Sequence, residues 1–191
     1  MARLFVALDL PPSLSSRLSL LGGGVPGARW VEAPAMHITL AFLGEVGPHQ
    51  EADVIAALAP IRFEPFDVGL AGFGAFGAGH RRRTIHMEVE RSKPLLTLQH
   101  RIAHALERLG FHPEHSRYMP HITLARLKRA DTERVARFLS EGLPMGLPRL
   151  GINGFTLFES HLAHTGAQYE ERQVFGFDNV ALAADELVES A

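Results

Sequence analysis

The chain has no cysteine among its 191 residues, which excludes disulfides and thiolate metal sites and removes the usual mark of a secreted, stapled domain. A reducing cytoplasm is the expected setting. No stretch approaches the ~20 consecutive apolar residues that a membrane-spanning helix requires. The first residues are apolar only as far as Asp9 and end at Pro11-Pro12, without the basic region and unbroken apolar core of a signal peptide. A basic excess is also missing: the formal net charge is −2, whereas proteins that track along many phosphates carry a strong positive surplus. Such a balance still permits a nucleic-acid substrate if only one terminal phosphate group is engaged.

What the chain does have is a composition that is 46% hydrophobic, enough for a substantial core in one compact domain or two small lobes, of which two lobes are the preferred reading. It also has a repeated pentapeptide, His37-Ile38-Thr39-Leu40-Ala41 and His121-Ile122-Thr123-Leu124-Ala125. Ile, Thr and Leu suit a pleated backbone whose side chains alternate between faces. Each copy therefore sets its His and Thr on one face and its Ile and Leu on the other, where they can enter a core.

Around these copies the patterning predicts a strand over Arg3 to Leu10 and a short helix over Ser13 to Leu21, stopped by Gly22-Gly23-Gly24. The first repeat runs on to Gly44. A helix follows over Gln50 to Leu58, ended by Pro60, then paired strands over Phe66 to Phe73 and Thr84 to Glu90. Leu95, Leu98, Ile102, Leu106 and Leu109 recur every three or four positions, which predicts a helix over Lys93 to Leu109 with Gly110 as its stop. After the second repeat come a helix over Asp131 to Leu139 and strands near Phe155 to Phe158 and Gln168 to Phe175. Each half reads strand, helix, strand, helix, strand, so the expected fold is an α+β pseudo-duplication with one His-x-Thr strand per half. Residues 1–177 form the expected bilobal domain, and 178–191 a tail or short terminal helix.

Breaking a P–O bond requires a base for the attacking hydroxyl or water and an acid for the departing oxygen. Histidine suits both roles: its ordinary pKa lies near ~6.5, and each such proton transfer contributes roughly 100- to 10,000-fold in rate. Residues two apart in a strand lie roughly 6.5 Å apart, so Thr39 and Thr123 can donate to non-bridging oxygens while the imidazoles flank the phosphorus. One His-x-Thr strand supplies an acid or a base; two supply both. The residues thus point to a metal-independent phosphodiesterase.

These motifs resemble those of the two-histidine (2H) phosphoesterase superfamily, and within it the LigT-like RNA 2',3'-cyclic phosphodiesterases, historically called 2'-5' RNA ligases. The resemblance is carried by Arg3-Leu4-Phe5-Val6-Ala7-Leu8, by His37 through Gly44, by Tyr118-Met119-Pro120-His121 through Arg126, and by Leu157-Phe158-Glu159-Ser160. It implies a bilobal α+β fold with two antiparallel sheets lining a central cleft and helices outside, and hydrolysis of a terminal 2',3'-cyclic phosphate to a 2'-phosphate without metal or other cofactor. It implies His37 as proton donor and His121 as proton acceptor, although the two motifs are locally identical. Arg126 matches an arginine expected at the phosphate, and Phe5 an aromatic that could stack on the terminal base. The middle strand of related proteins often carries a Pro-Arg pair and a Trp, where this chain has Gly79 through His86.

The expected partner is RNA with a 2',3'-cyclic phosphate end or a small cyclic nucleotide, bound by a monomer. Enzymatic alternatives are a 2'-5' ligase or a phosphodiesterase acting on small cyclic nucleotides or ADP-ribose cyclic phosphate. The non-enzymatic alternative is an RNA-end binding module. Tyr118 and Tyr169 are further candidates for substrate contact, and Arg81-Arg82-Arg83 for steering RNA, with Lys128-Arg129 a weaker case of the same kind. His100 and His104 have the helical spacing of paired metal ligands but lack a third ligand or a general-base Glu, and read as a helix's wet face. His112, His115, His161 and His164 read as exposed loop positions.

Overall fold

Alternating and helical periods sort the chain into ten strands and four helices among the residues that the computed structural model describes, which are 1–77, 83–113, 118–128, 130–141, 147–163 and 166–176. The order is β1 (Ala2–Asp9), α1 (Pro12–Ser19), β2 (Ala28–Trp30), β3 (His37–Val46), α2 (Pro48–Leu58), β4 (Phe66–Val68), β5 (Leu70–Phe76), β6 (Thr84–Val89), α3 (Lys93–Glu107), β7 (His121–Leu127), α4 (Thr132–Ser140), β8 (Leu150–Ile152), β9 (Gly154–Ala163) and β10 (Gly166–Gly176). The expected tail, 178–191, and the Gly/Arg-rich stretch 78–82 lie outside the described residues.

Local chemistry explains the helices. Ser92 caps α3 by accepting from the Leu95 N–H, a proline sits in its first turn, and Gly110 follows its end at φ 84°, a left-handed conformation that glycine adopts without strain. Leu95, Leu98, Ile102 and Leu106 form its buried stripe. The carboxylate of Asp131 caps α4 by accepting from the N–H groups of Glu133 and Arg134. The helix ends lie within about two residues of the predicted ones, a normal fraying error.

All four helices pack on one side of a large antiparallel sheet of strand order β10-β9-β1-β3-β7-β6-β5, with β2 also pairing with β7. The repeat's apolar residues anchor its two strands in that core: Ile38 and Ile122 are 0% exposed, Leu40 3% and Leu124 1%. Each such side chain contributes roughly 1.5–3 kcal/mol by its burial.

The expected pair of sheets is corrected here. The two halves belong to one sheet, joined at Ile38↔Ile122, and the second sheet is only the two-stranded β4-β8. The reason is a shared edge. Strand β7 gives Ile122 to β3 but Ala125 through Leu127 to β2, with the Val31 N–H donating to the Leu124 carbonyl between them. Strand β3 turns away beyond Ile38, and its freed carbonyls are taken by side chains: Tyr118 Oη donates to Thr39 at 3.0 Å and Gln99 Nε2 to Leu40 at 3.3 Å.

Two further departures concern single strands. The strand read as Phe66 to Phe73 breaks at Gly69, whose N–H donates to Glu90 and whose carbonyl accepts from the Glu90 N–H as the chain passes from the small sheet to the large one. The three-residue strands β2 and β8 are too short to leave a pattern. No helix among the described residues is long and apolar enough to cross a membrane.

Candidate active site

The face opposite the helices is where the two repeats meet. The two strands touch at the single antiparallel pair Ile38↔Ile122, which brings His37 to the Thr123 side and Thr39 to the His121 side of the junction. Opposed side chains in such a pair stand roughly 5 Å apart and diagonal ones roughly 7–8 Å. Both strands show the same burial sequence, with His and Thr half-buried and the next two apolar residues buried.

The imidazoles are held alike. His37 Nδ1 lies 3.0 Å from the carbonyl of Ala35, and His121 Nδ1 lies 2.8 Å from the carbonyl of Met119. A carbonyl can only accept, so Nδ1 carries the hydrogen in both rings and each neutral ring keeps Nε2 for proton exchange. In each half the carbonyl comes two residues before the histidine, so the backbone selects the tautomer twice by the same device.

A bulge then repeats in both halves. The register steps from Ala7↔Thr39 to Val6↔Ala41 on one side and from His86↔Thr123 to Ile85↔Ala125 on the other, skipping Leu40 and Leu124. Each bulge leaves two consecutive residues in the core and returns the next one to the histidine face. Strict alternation places Arg126 with the core; the bulge turns its exposed guanidinium to the site, and Phe42 occupies the corresponding place in the other half, 64% exposed.

The surroundings differ between the halves. Phe5 packs 4.9 Å from the His37 ring, 5.9 Å from Phe42 and 5.3 Å from Phe158, while Tyr169 stands edge-on to both Phe5 and His37 at 5.0 Å. With 3% exposure, Phe5 supports His37 from behind instead of offering a free face, so the accessible ring on that side is Phe42. Beside His121 lie Phe76, edge-on at 4.7 Å, and His86 at 5.1 Å; Phe76 also packs 4.4 Å from His86. His86 is 2% exposed, and its Nδ1 and the Thr84 hydroxyl are buried without a hydrogen-bond partner among the described residues. The His86 ring is accommodated by Gly74, where a Cβ would collide with Nε2.

Burial governs the titration of all three rings. It pushes His37 down to about 4, and the nearby His121 and Arg126 charges push the same way against the Ala35 hydrogen bond. His86 is pushed down to about 4 by burial and by His121, and His121 is lowered by burial against the Met119 hydrogen bond. Burial also raises the Tyr118 hydroxyl above its ordinary range, consistent with a neutral donor spent on Thr39.

Of the residues predicted from sequence, His37, Thr39, His121, Thr123 and Arg126 share this face, and Phe5 and Tyr118 back it. Reading the sequence alone missed Thr84, His86, Phe76 and Phe42. The signal was available in part, because Thr84-Ile85-His86 is the repeat's pattern reversed, as an antiparallel neighbour presents it.

Other candidates fall elsewhere. His100 and His104 are exposed on α3, and His112 is exposed. His161 Nε2 lies 3.3 Å from a carboxylate oxygen of Glu170 and 3.8 Å from one of Glu159, the one grouping with metal-ligand proximity among the described residues; Arg172 already engages both carboxylates. Of the basic runs, Arg83 and Lys128 are exposed, while Arg81, Arg82 and Arg129 lie outside the described residues, as do His115 and His164.

A face with two backbone-tied imidazoles and two hydroxyls, on a sheet duplicated about one central pair, defines a phosphoesterase of the two-histidine class. Residues 23–161 match the profile of the 2'-5' RNA ligase superfamily, and the chain belongs to that family. It is 31% identical over 176 residues to the RNA 2',3'-cyclic phosphodiesterase of Archaeoglobus fulgidus, covering 91% of this chain and 99% of that one. It is 33% identical over 156 residues to the protein of the same name from Aeropyrum pernix, covering 81% and 88%. Among solved structures, a Thermus thermophilus protein matches with a TM-score of 0.72 at 26% identity, covering 91% of this chain and 97% of that one. E. coli LigT in complex with 3'-AMP matches with a TM-score of 0.71 at 26% identity, covering 92% and 97%.

Proposed function

We propose that this protein hydrolyses 2',3'-cyclic phosphate ends of RNA to 2'-phosphates by general acid and base catalysis between His37 and His121, without a metal ion. The observation that carries the reading is the matched pair of imidazoles, each with Nδ1–H on a backbone carbonyl and Nε2 left for chemistry, on either side of one sheet junction. The activity named for the relatives agrees with it.

In this reading His121 takes a proton from water as the oxygen attacks phosphorus, and His37 gives a proton to the departing 3' oxygen, leaving the phosphate on the 2' oxygen. Thr39 and Thr123 donate to the non-bridging oxygens, and Arg126 stabilises the negative charge that builds on them. Two features favour His37 as the acid once substrate is bound. The phosphate neutralises Arg126, whose charge otherwise opposes protonation of His37, and the Phe5 ring 4.9 Å away can accommodate an imidazolium.

The deciding experiment is phosphorus NMR of the product from a short RNA with a 2',3'-cyclic end, before and after exhaustive chelation. A 2'-phosphate formed at an unchanged rate is the expected result. A 3'-phosphate, or loss of turnover on chelation with recovery on adding metal back, would overturn the assignment.

A further inference from the structure

Strand β2 carries Arg29 directly across from Arg126 on β7. Opposed residues of an antiparallel pair share a face. Trp30, the next residue of β2, packs 5.3 Å from Phe138 of α4 on the helix side, so Arg29 projects to the histidine side. On the other flank of Arg126 stands Thr84, and beyond it Phe76. Arg29, Arg126, Thr84 and Phe76 therefore form one rung across the sheet, next to the rung that holds Thr123 and His86.

Two like charges set opposite each other weaken a sheet. Both guanidiniums are exposed, and neither forms an ion pair with an acidic side chain among the described residues. The Thr84 hydroxyl beneath them is buried and also lacks a partner there. Two exposed guanidinium forks with no carboxylate between them make the donor set of a phosphate. One phosphate is already assigned to Thr39, Thr123 and Arg126. Arg126 stands between that phosphate and Arg29: Thr123 is three residues from it on a bulged strand, and Arg29 lies across from it on β2, so the span from Thr123 to Arg29, roughly 7–11 Å between backbones, is on the scale of one nucleotide.

We infer that Arg29, with Arg126, forms a second phosphate subsite, which takes the phosphate on the 5' side of the terminal nucleotide. The inference rests on the cyclic-phosphate reading above and narrows it. The substrate is a nucleotide cyclic phosphate with a phosphate at its 5' position, as at the end of an RNA chain, in preference to a nucleoside 2',3'-cyclic phosphate. A subsite for one extra phosphate also agrees with a net charge of only −2, since each further phosphate contact calls for another cation.

The test compares adenosine 2',3'-cyclic phosphate with and without a 5'-phosphate. In the wild type the 5'-phosphate should lower KM about tenfold with kcat changed less than about twofold, the signature of binding shared by ground and transition states. The ratio of the two KM values should fall to about one in Arg29→Gln and be partly kept in Arg29→Lys, which retains charge without the fork. A ratio near one in the wild type, or an unchanged ratio in folded Arg29→Gln, overturns the subsite. If neither compound is turned over, the cyclic-phosphate reading fails, and calorimetry still decides the subsite. Adenosine 2',5'-bisphosphate should bind about tenfold more tightly than adenosine 2'-phosphate in the wild type and equally in Arg29→Gln; equal binding in both proteins overturns it.

Discussion

The two halves of the site correspond rung for rung and differ in what stands on each rung. In the first, His37 faces Asp9, Thr39 faces Ala7, and Phe42 faces Phe5, with Phe158 beyond. In the second, His121 faces Glu88, Thr123 faces His86, and Arg126 faces Thr84, with Phe76 beyond. The His-x-Thr pair and the bulge after it are the same twice, and each histidine faces a carboxylate; the remaining rungs differ, with Ala7, Phe5 and Phe158 beside Phe42 in one half and His86, Thr84 and Phe76 beside Arg126 in the other. On the proposed reading, duplication supplies an acid and a base of equal construction, and the unequal surroundings give the site a direction. In that reading a nucleotide lies with its base toward Phe42 and Tyr169 and its phosphates toward Arg126 and Arg29.

The largest effect should come where the halves are alike. His37→Ala and His121→Ala should each lower turnover roughly 1,000- to 10,000-fold with near-ultraviolet circular dichroism unchanged, and the double variant should be little worse than either, because acid and base act as a unit. Strictly additive losses would mean that the two rings do not serve one reaction.

Next comes the first position at which the halves diverge in charge. Arg126→Gln should cost roughly 100-fold in kcat, as expected for a charge aimed at the reacting phosphate, whereas Phe42→Ala should raise KM roughly threefold to tenfold and leave kcat nearly intact, as expected for a stacking face. Steady-state kinetics on a short cyclic-ended RNA checks both. Equal kcat losses at the two positions would remove the proposed direction.

The pH dependence follows from the depressed imidazoles. In the free protein His37 lies at about 4 and His121 is also lowered from 6.5, so the singly protonated pair that the proposed mechanism needs is most populated below that ordinary value. The optimum of kcat/KM, which reports the free enzyme, should therefore lie below pH 6.5, and that of kcat higher, because bound phosphate favours the imidazolium. Coincident optima above pH 7 would contradict this picture.

The smallest effect concerns His86, the polar counterpart of Ala7. Its folded value of about 4 lies below its unfolded value of 6.5, so between those limits the unfolded chain binds more protons than the folded one. Stability present above 6.5 is thus lost as the pH falls toward 4. His86→Phe should flatten that loss by roughly 1–3 kcal/mol in urea unfolding at several pH values; an unchanged slope would mean that the His86 ring is not sealed from water.

Much of this was legible in the chain. Residues at strand spacing put His37 with Thr39 and His121 with Thr123 on a common face, and the apolar stripe of α3 predicted that helix at nearly its observed length. Arg126 was legible only through its resemblance to a family pattern, since counting alternate residues sends it to the core until the Leu124 bulge is known. Arg29 gave no signal, because nothing within three residues of strand β2 announces which strand it will pair with. Phe5 was expected as a stacking face and is instead covered by Phe42, Phe158, Tyr169 and His37.

By itself, then, the sequence determined the chemistry: an imidazole and a hydroxyl on each of two strands, with the apolar residues that bury the reverse side. Those depend on side-chain type and on a spacing of two, which are local properties of the chain. The tertiary structure alone decided that the two halves share one sheet, which rings are dry, and that Arg29, Arg126, Thr84 and His86 gather on one flank. Register, bulges and burial arise from pairing between segments far apart in sequence, and no local pattern encodes which edge meets which.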